Sequence, residues 1–127
     1  MKTLVIDPYP EWFHISDNSA NKINRVKASG GRIIAVGTTV LRALESATKK
    51  NLVAPYKGYT ELYVQAHTPL NITDGLLTGW HEPEASHLEM LAAIAPKKHL
   101  ELTYEVAIRN QYYWHEFGDL HLLLKDN

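Results

Sequence analysis

Gly37-Thr38-Thr39 followed by Arg42 and Glu45 places two hydroxyls, a cation and a carboxylate close behind a glycine. Two further stretches carry groups of a similar kind: Thr78 to Ser86, with His81 inside it, and Asp119 after Phe117-Gly118. If the segments ahead of the first two stretches are parallel neighbours in a sheet, both loops leave by one edge. Arg42, Glu45, His81 and Ser86 then come within reach of one ligand. For His81 the competing reading is core packing or a hydrogen bond made behind the ligand. For Asp119 it is formation of the turn that follows Gly118.

Several other chemistries are excluded by spacing. His81-Glu82 opens like a zinc-protease helix, but the second His is needed four residues on, where Ala85 stands, and Pro83 breaks the helix. His87 is also wrongly spaced for a helical pair with His81. No Ser sits in a G-x-S-x-G elbow, and no Lys-Ser/Thr pair follows Gly37 as a triphosphate loop requires. Cysteine is absent, so disulfides and thiolate chemistry are out.

The elements that must position these groups read as follows. Ile33 to Val36 is a continuous apolar run, the pattern of a strand covered on both faces, and Gly37 punctuates it. Thr38 and Thr39 can turn oxygens onto free N–H groups of a helix in which Val40, Leu41, Leu44 and Ala47 fall at helical spacing. That helix start, just past the carboxyl end of a strand, offers unpaired donors and partial positive charge; a purely structural connection is the alternative. Residues 1 to 15, with Pro8 and Pro10, read as an extended lead-in. Ser16 or Asp17 caps a helix over Ser19 to Ser29 whose inner stripe and flank are Ala20, Ile23, Val26 and Lys27. Strands are expected over Thr60 to Val64 and Asn71 to Thr78. The pattern Ser86-His87-Leu88-Glu89 predicts a capping box and a helix from His87 to Ala95. A further helix spans Lys98 to Tyr113, carrying Leu100, Tyr104, Ala107, Ile108 and Gln111. Leu120 to Leu124 is expected as a last buried strand. The alternation implies an α/β fold with a mixed, partly parallel sheet and flanking helices in a single domain over residues 1–127.

The whole chain has 127 residues, 45% of them hydrophobic and 21% charged, an ordinary balance for a soluble globular protein. A formal net charge of −1 gives no electrostatic case for nucleic-acid binding. Leu4-Val5-Ile6 is too short for a signal-peptide core, so a cytoplasmic location without membrane contact is expected.

Read together, Glu11-Trp12-Phe13, Lys27-Ala28, Gly30-Gly31-Arg32, the run Ile34 to Ser46, Gly58 with Thr60, Asp74, Thr78, His81 with Pro83, Ser86, Met90-Leu91 and Phe117-Gly118-Asp119 resemble the S-adenosylmethionine:tRNA ribosyltransferase-isomerases of queuosine biosynthesis. The likeness runs in order from about Glu11 to Leu124 and corresponds to the family's C-terminal portion, without its N-terminal half or inserted β-barrel. It implies the C-terminal half of a larger α/β-barrel-like domain. It further implies an enzyme that moves the ribosyl part of S-adenosylmethionine onto a 7-deazaguanine at the tRNA wobble position, with loss of adenine and methionine and no metal. By the same resemblance Glu45, His81 and Asp119 are the acid/base residues, and Gly37, Thr38, Thr39, Arg42, Thr78 and Ser86 hold substrate. tRNA and the absent half are the implied partners, and apolar surface left where that half packs favours a homo-oligomer. The alternative is a divergent nucleoside-binding or noncatalytic interaction module of the same fold.

Overall fold

The structure is a computed structural model and describes residues 9–79, 85–111 and 119–125. The lead-in carries a strand, β1 (Glu11–Ile15), and turns at Ser16 into α1 (Asp17–Ala28). The Ser16 hydroxyl accepts the Ser19 N–H at 3.1 Å, as a cap should. α1 ends in a Schellman turn: the Gly30 N–H donates to Lys27 O and the Gly31 N–H to Val26 O, with Gly30 at φ +85°. Of the expected inner stripe, Ala20 is buried while Val26 is exposed.

β2 (Ile34–Val36) and α2 (Thr38–Ser46) follow, joined at Gly37. A hairpin comes next, β3 (Thr48–Lys49) and β4 (Leu52–Val53), turned by Lys50 and Asn51, both at positive φ as a two-residue type I′ turn requires. Asn24 secures it to α1, accepting from the Val53 N–H and donating to Val53 O. β5 (Tyr56–Thr60) pairs antiparallel with β1, from Glu11↔Thr60 to Ile15↔Tyr56. The strand thus ends where it was expected to begin. Past Thr60 the backbone leaves the ladder because the carbonyls of Thr60 and Leu62 turn toward the Arg42 guanidinium.

β6 (Gly75–Gly79) starts later than the expected Asn71, for a similar reason: the amides of Asn71, Ile72 and Thr73 are taken by the Glu45 carboxylate. α3 (Ala85–Ala92) begins earlier than Ser86 would set it, and α4 (Lys97–Arg109) buries Leu100, Tyr104 and Ala107 as expected. Ile108 is exposed, and Gln111 lies beyond the helix end at Asn110. β7 (Leu120–Leu124) closes a mixed sheet of order β2-β6-β7, parallel between the first pair and antiparallel between the second. One expectation fails here. β2 and β7 are covered on one face rather than two: Ala35, His121 and Leu123 are buried, while Val36 and Leu122 are exposed. Apolar runs alone cannot distinguish an enclosed strand from one whose second face is open. The core gathers Leu41 and Leu44 of α2, Leu76, Ile72, Val64, Leu91 and Leu100. Among the described residues no helix is long and apolar enough to cross a membrane.

Candidate functional site

Parallel pairing of β2 with β6 makes the two strands finish side by side, at Val36↔Leu77. Gly37 extends the ladder by one bond, its N–H donating to Leu77 O at 2.9 Å, and then reverses at φ +95° into α2. A side chain at that φ would be strained, so the tight entry into α2 depends on glycine. Because β7 runs antiparallel to β6 with Gly79 opposite Leu120, its start lies at this same end, and Asp119 with it. Gly37, Thr38, Thr39, Gly79 and Asp119 therefore gather at one end of the sheet, next to the first turn of α2. Thr78 is buried there, opposite His121.

The first turn of α2 is not capped as the threonines suggested: no side chain bonds to it at Gly37. The Thr39 hydroxyl instead donates to Glu11 Oε2 at 2.8 Å. The other Glu11 oxygen, Oε1, accepts from Arg42 Nη1 at 2.5 Å. Arg42 is 2% exposed and completes its set by donating through Nε to Leu62 O at 2.9 Å and through Nη2 to Thr60 O at 3.4 Å. A buried guanidinium needs a counter-charge and filled donors, and here it has both. Its effect is to tie α2 to β1 and to the end of β5.

Glu45, about one turn further along the buried side of α2, holds another backbone segment. Its Oε1 accepts from the Asn71 N–H at 2.7 Å, and its Oε2 from Ile72 and Thr73 at 3.2 and 2.9 Å. The carboxylate substitutes for strand pairing over three residues and directs the chain into β6. Asp74 continues the arrangement. Its Oδ2 accepts the Ile33 N–H at 2.8 Å and meets Lys27 Nζ at 2.9 Å, and its backbone oxygen accepts from the Lys125 N–H. Burial pushes the Asp74 carboxyl up, but the Ile33 N–H and the cations of Lys27 and Lys125 outweigh it and hold the group below its ordinary value. The starts of β2 and β6 and the end of β7 are thereby clamped together, which fixes the register at the opposite end where the loops emerge.

Of the residues singled out in the sequence, Gly37, Thr38, Thr39, Thr78 and Asp119 come together. Arg42 and Glu45 lie behind them, bonded to this chain's own groups. His81 falls outside the described residues, and Ser86 lies in the first turn of α3. The sequence reading gave no role to Glu11 or Asp74. Nothing local pairs Glu11 with a residue 31 positions away, although both members stand among the residues that carry the resemblance. Among the described residues no group of three or more His, Asp or Glu could hold a metal ion.

Comparison with known proteins identifies the family and the fold. The model of the family described as queuosine biosynthesis protein matches residues 5–123. The S-adenosylmethionine:tRNA ribosyltransferase-isomerase of Carboxydothermus hydrogenoformans is 40% identical over 116 residues, covering 91% of this chain and 34% of the relative. The protein of the same description from Acaryochloris marina is 39% identical over 118 residues, 93% of this chain and 32% of its own length. Among solved structures, an S-adenosylmethionine tRNA ribosyltransferase from Thermotoga maritima superposes with a TM-score of 0.82 at 30% identity, covering 89% of this chain and 40% of that one. The chain thus spans about a third of the length of the curated relatives it matches.

Proposed function

This chain belongs to the queuosine biosynthesis protein family, and on that premise we propose that it forms part of the pocket in which the ribosyl group of S-adenosylmethionine is transferred to a 7-deazaguanine of tRNA. The observation that supports the reading is the meeting of the Gly37 turn, Thr78-Gly79 and Asp119 at one end of the β2-β6-β7 sheet. Open α/β sheets take their ligands at such carboxyl ends. The reaction needs a base near the sulfonium-activated carbon, groups that hold the ribose and adenine, and exclusion of water. Asp119 and His81 take the acid/base roles, and the Gly37 to Thr39 turn with Thr78 and Ser86 holds the nucleoside. Arg42 and Glu45 act through the backbone they fix. S-adenosylmethionine enters as a substrate, tRNA is the acceptor, and the setting is the cytoplasm.

That Arg42 and Glu45 are engaged within the chain favours a second reading, a nucleoside-binding module that contributes no catalytic group from α2. Calorimetric titration with S-adenosylmethionine tests the main reading. Binding heat is expected, with affinity weakened about tenfold, or about 1.4 kcal/mol, in Asp119→Asn. Absence of heat at millimolar ligand, from protein that melts cooperatively, refutes a nucleoside pocket at this end of the sheet. Adenine release on mixing with S-adenosylmethionine, tRNA and the remaining two thirds of a relative separates the transferase from a module that only binds.

A further inference from the structure

Glu11 and Thr39 meet where β1 passes the first turn of α2. The Thr39 hydroxyl commits its one proton to Glu11 Oε2 at 2.8 Å, so toward any other group its oxygen can only accept. The Glu11 side chain is 40% exposed. Its Oε1 accepts from Arg42 Nη1, and each carboxylate oxygen keeps a further lone pair. No other donor among the described residues reaches Thr39 Oγ1 or Glu11 Oε2. Arg42, buried and itself held by the carbonyls of Thr60 and Leu62, pins the carboxylate in this orientation. Two fixed acceptors on partly exposed side chains therefore stand side by side, two residues from Gly37 in the turn.

An acceptor pair selects a ligand by the donors that the ligand carries. An ionised phosphate or carboxylate offers none and is repelled by Glu11. Adenine has one exocyclic amine, whereas a ribose presents two adjacent hydroxyls, with their oxygens spaced much as Thr39 Oγ1 and Glu11 Oε2 are. A hydroxyl bonded to an ionised acceptor makes the stronger kind of hydrogen bond. Arg42 orients that acceptor before the ligand arrives, so little ordering is left to offset the gain. We infer that Glu11 and Thr39 bind the vicinal hydroxyls of the nucleoside ribose, one hydroxyl on each oxygen, an assignment that rests on the nucleoside pocket proposed above. Glu11 is then a specificity residue for ribose over deoxyribose, supplied by β1 rather than by the loops at the strand ends.

The test is calorimetric titration of the full chain with S-adenosylmethionine and with its 2′-deoxy and 3′-deoxy analogues. The parent should bind each analogue about tenfold more weakly than S-adenosylmethionine, the loss of one hydrogen bond to a held acceptor. Thr39→Val removes one acceptor at nearly constant shape. It should weaken S-adenosylmethionine about tenfold and bind one of the two analogues within about twofold of it, while Thr39→Ser restores the parent's preference. Glu11→Gln turns an NH2 toward Thr39 and frees the threonine proton to point outward, so the preference for both hydroxyls should vanish. Because Glu11→Gln also takes the counter-charge from buried Arg42, thermal melts accompany it, and the Thr39 variants decide the question if it does not fold. A role confined to joining β1 to α2 lowers Tm in Thr39→Val but leaves the hydroxyl preference intact, and that result overturns the assignment. A parent that binds all three ligands alike overturns it too, with the nucleoside pocket left standing. No heat from the parent with any of the three refutes the pocket and the assignment together.

Discussion

Replacing Glu45 by alanine removes one carboxylate and leaves three backbone donors without a partner. Ile72 and Thr73 are each 1% exposed, so water does not reach them without local opening. Hydrogen bonds to a charged group contribute about 1.5–3 kcal/mol each, but three donors share this one carboxylate and their contributions are not additive. Each buried donor left unsatisfied costs about 1–3 kcal/mol, and with the three sharing one carboxylate about 4 kcal/mol is expected for Glu45→Ala. That is a large part of the roughly 5–15 kcal/mol that holds a domain folded. Glu45→Gln keeps one accepting oxygen but turns an NH2 toward a donor, and should cost about half as much. Urea unfolding followed by circular dichroism measures the loss, and hydrogen exchange at the amides of Asn71, Ile72 and Thr73 locates it. If Glu45→Ala unfolds within about 0.5 kcal/mol of the parent and those amides exchange no faster, the carboxylate is not what holds this segment.

Two further outcomes are expected. Asp74 lies below its ordinary value of 3.8, so its stabilising effect is complete above that value and disappears as the pH falls through the lower folded-state value. Asp74→Asn should therefore cost about 1–2 kcal/mol at neutral pH, with the difference from the parent closing on acidification below pH 3.8; a difference that does not change with pH refutes the clamp. At Gly37 an added Cβ meets nothing within 4 Å, so Gly37→Ala isolates the strain of φ +95°. A loss of about 1–3 kcal/mol is expected from thermal melts, and an unchanged melt means that the turn relaxes freely.

The centre of the molecule was legible because it obeys local rules. Ile33 to Leu44 reads as strand, glycine turn and helix from apolar spacing alone, and the α1 cap and Gly30-Gly31 stop follow from residue type. What escaped was set by side chains reaching across the fold. Thr60 to Val64 and Asn71 to Asp74 have the composition of strands, yet Arg42 and Glu45 take their backbone groups and displace both strand boundaries. The β3-β4 hairpin lacked the usual turn glycine, since Lys50 and Asn51 adopt positive φ themselves. At the site, spacing identified the Gly37 turn, whereas the parallel pairing that brings Thr78 beside it entered the sequence reading only as a condition and is supplied by the β2-β6 ladder. The buried duties of Arg42 and Glu45 depend on Glu11, Leu62 and residues 71–73, which no window of a few residues contains.

The anchors described above join points far apart along the chain, Glu11 to Arg42, Lys27 to Asp74, and Asp74 O to the Lys125 N–H. Each bond forms only after a long excursion of polypeptide has been closed, and that entropy is lost before any contact repays it. Refolding should accordingly be slow for so short a molecule, with unpaired strands exposed to other chains in the meantime. Dilute protein and low temperature during renaturation are then the conditions under which the native state outcompetes aggregation.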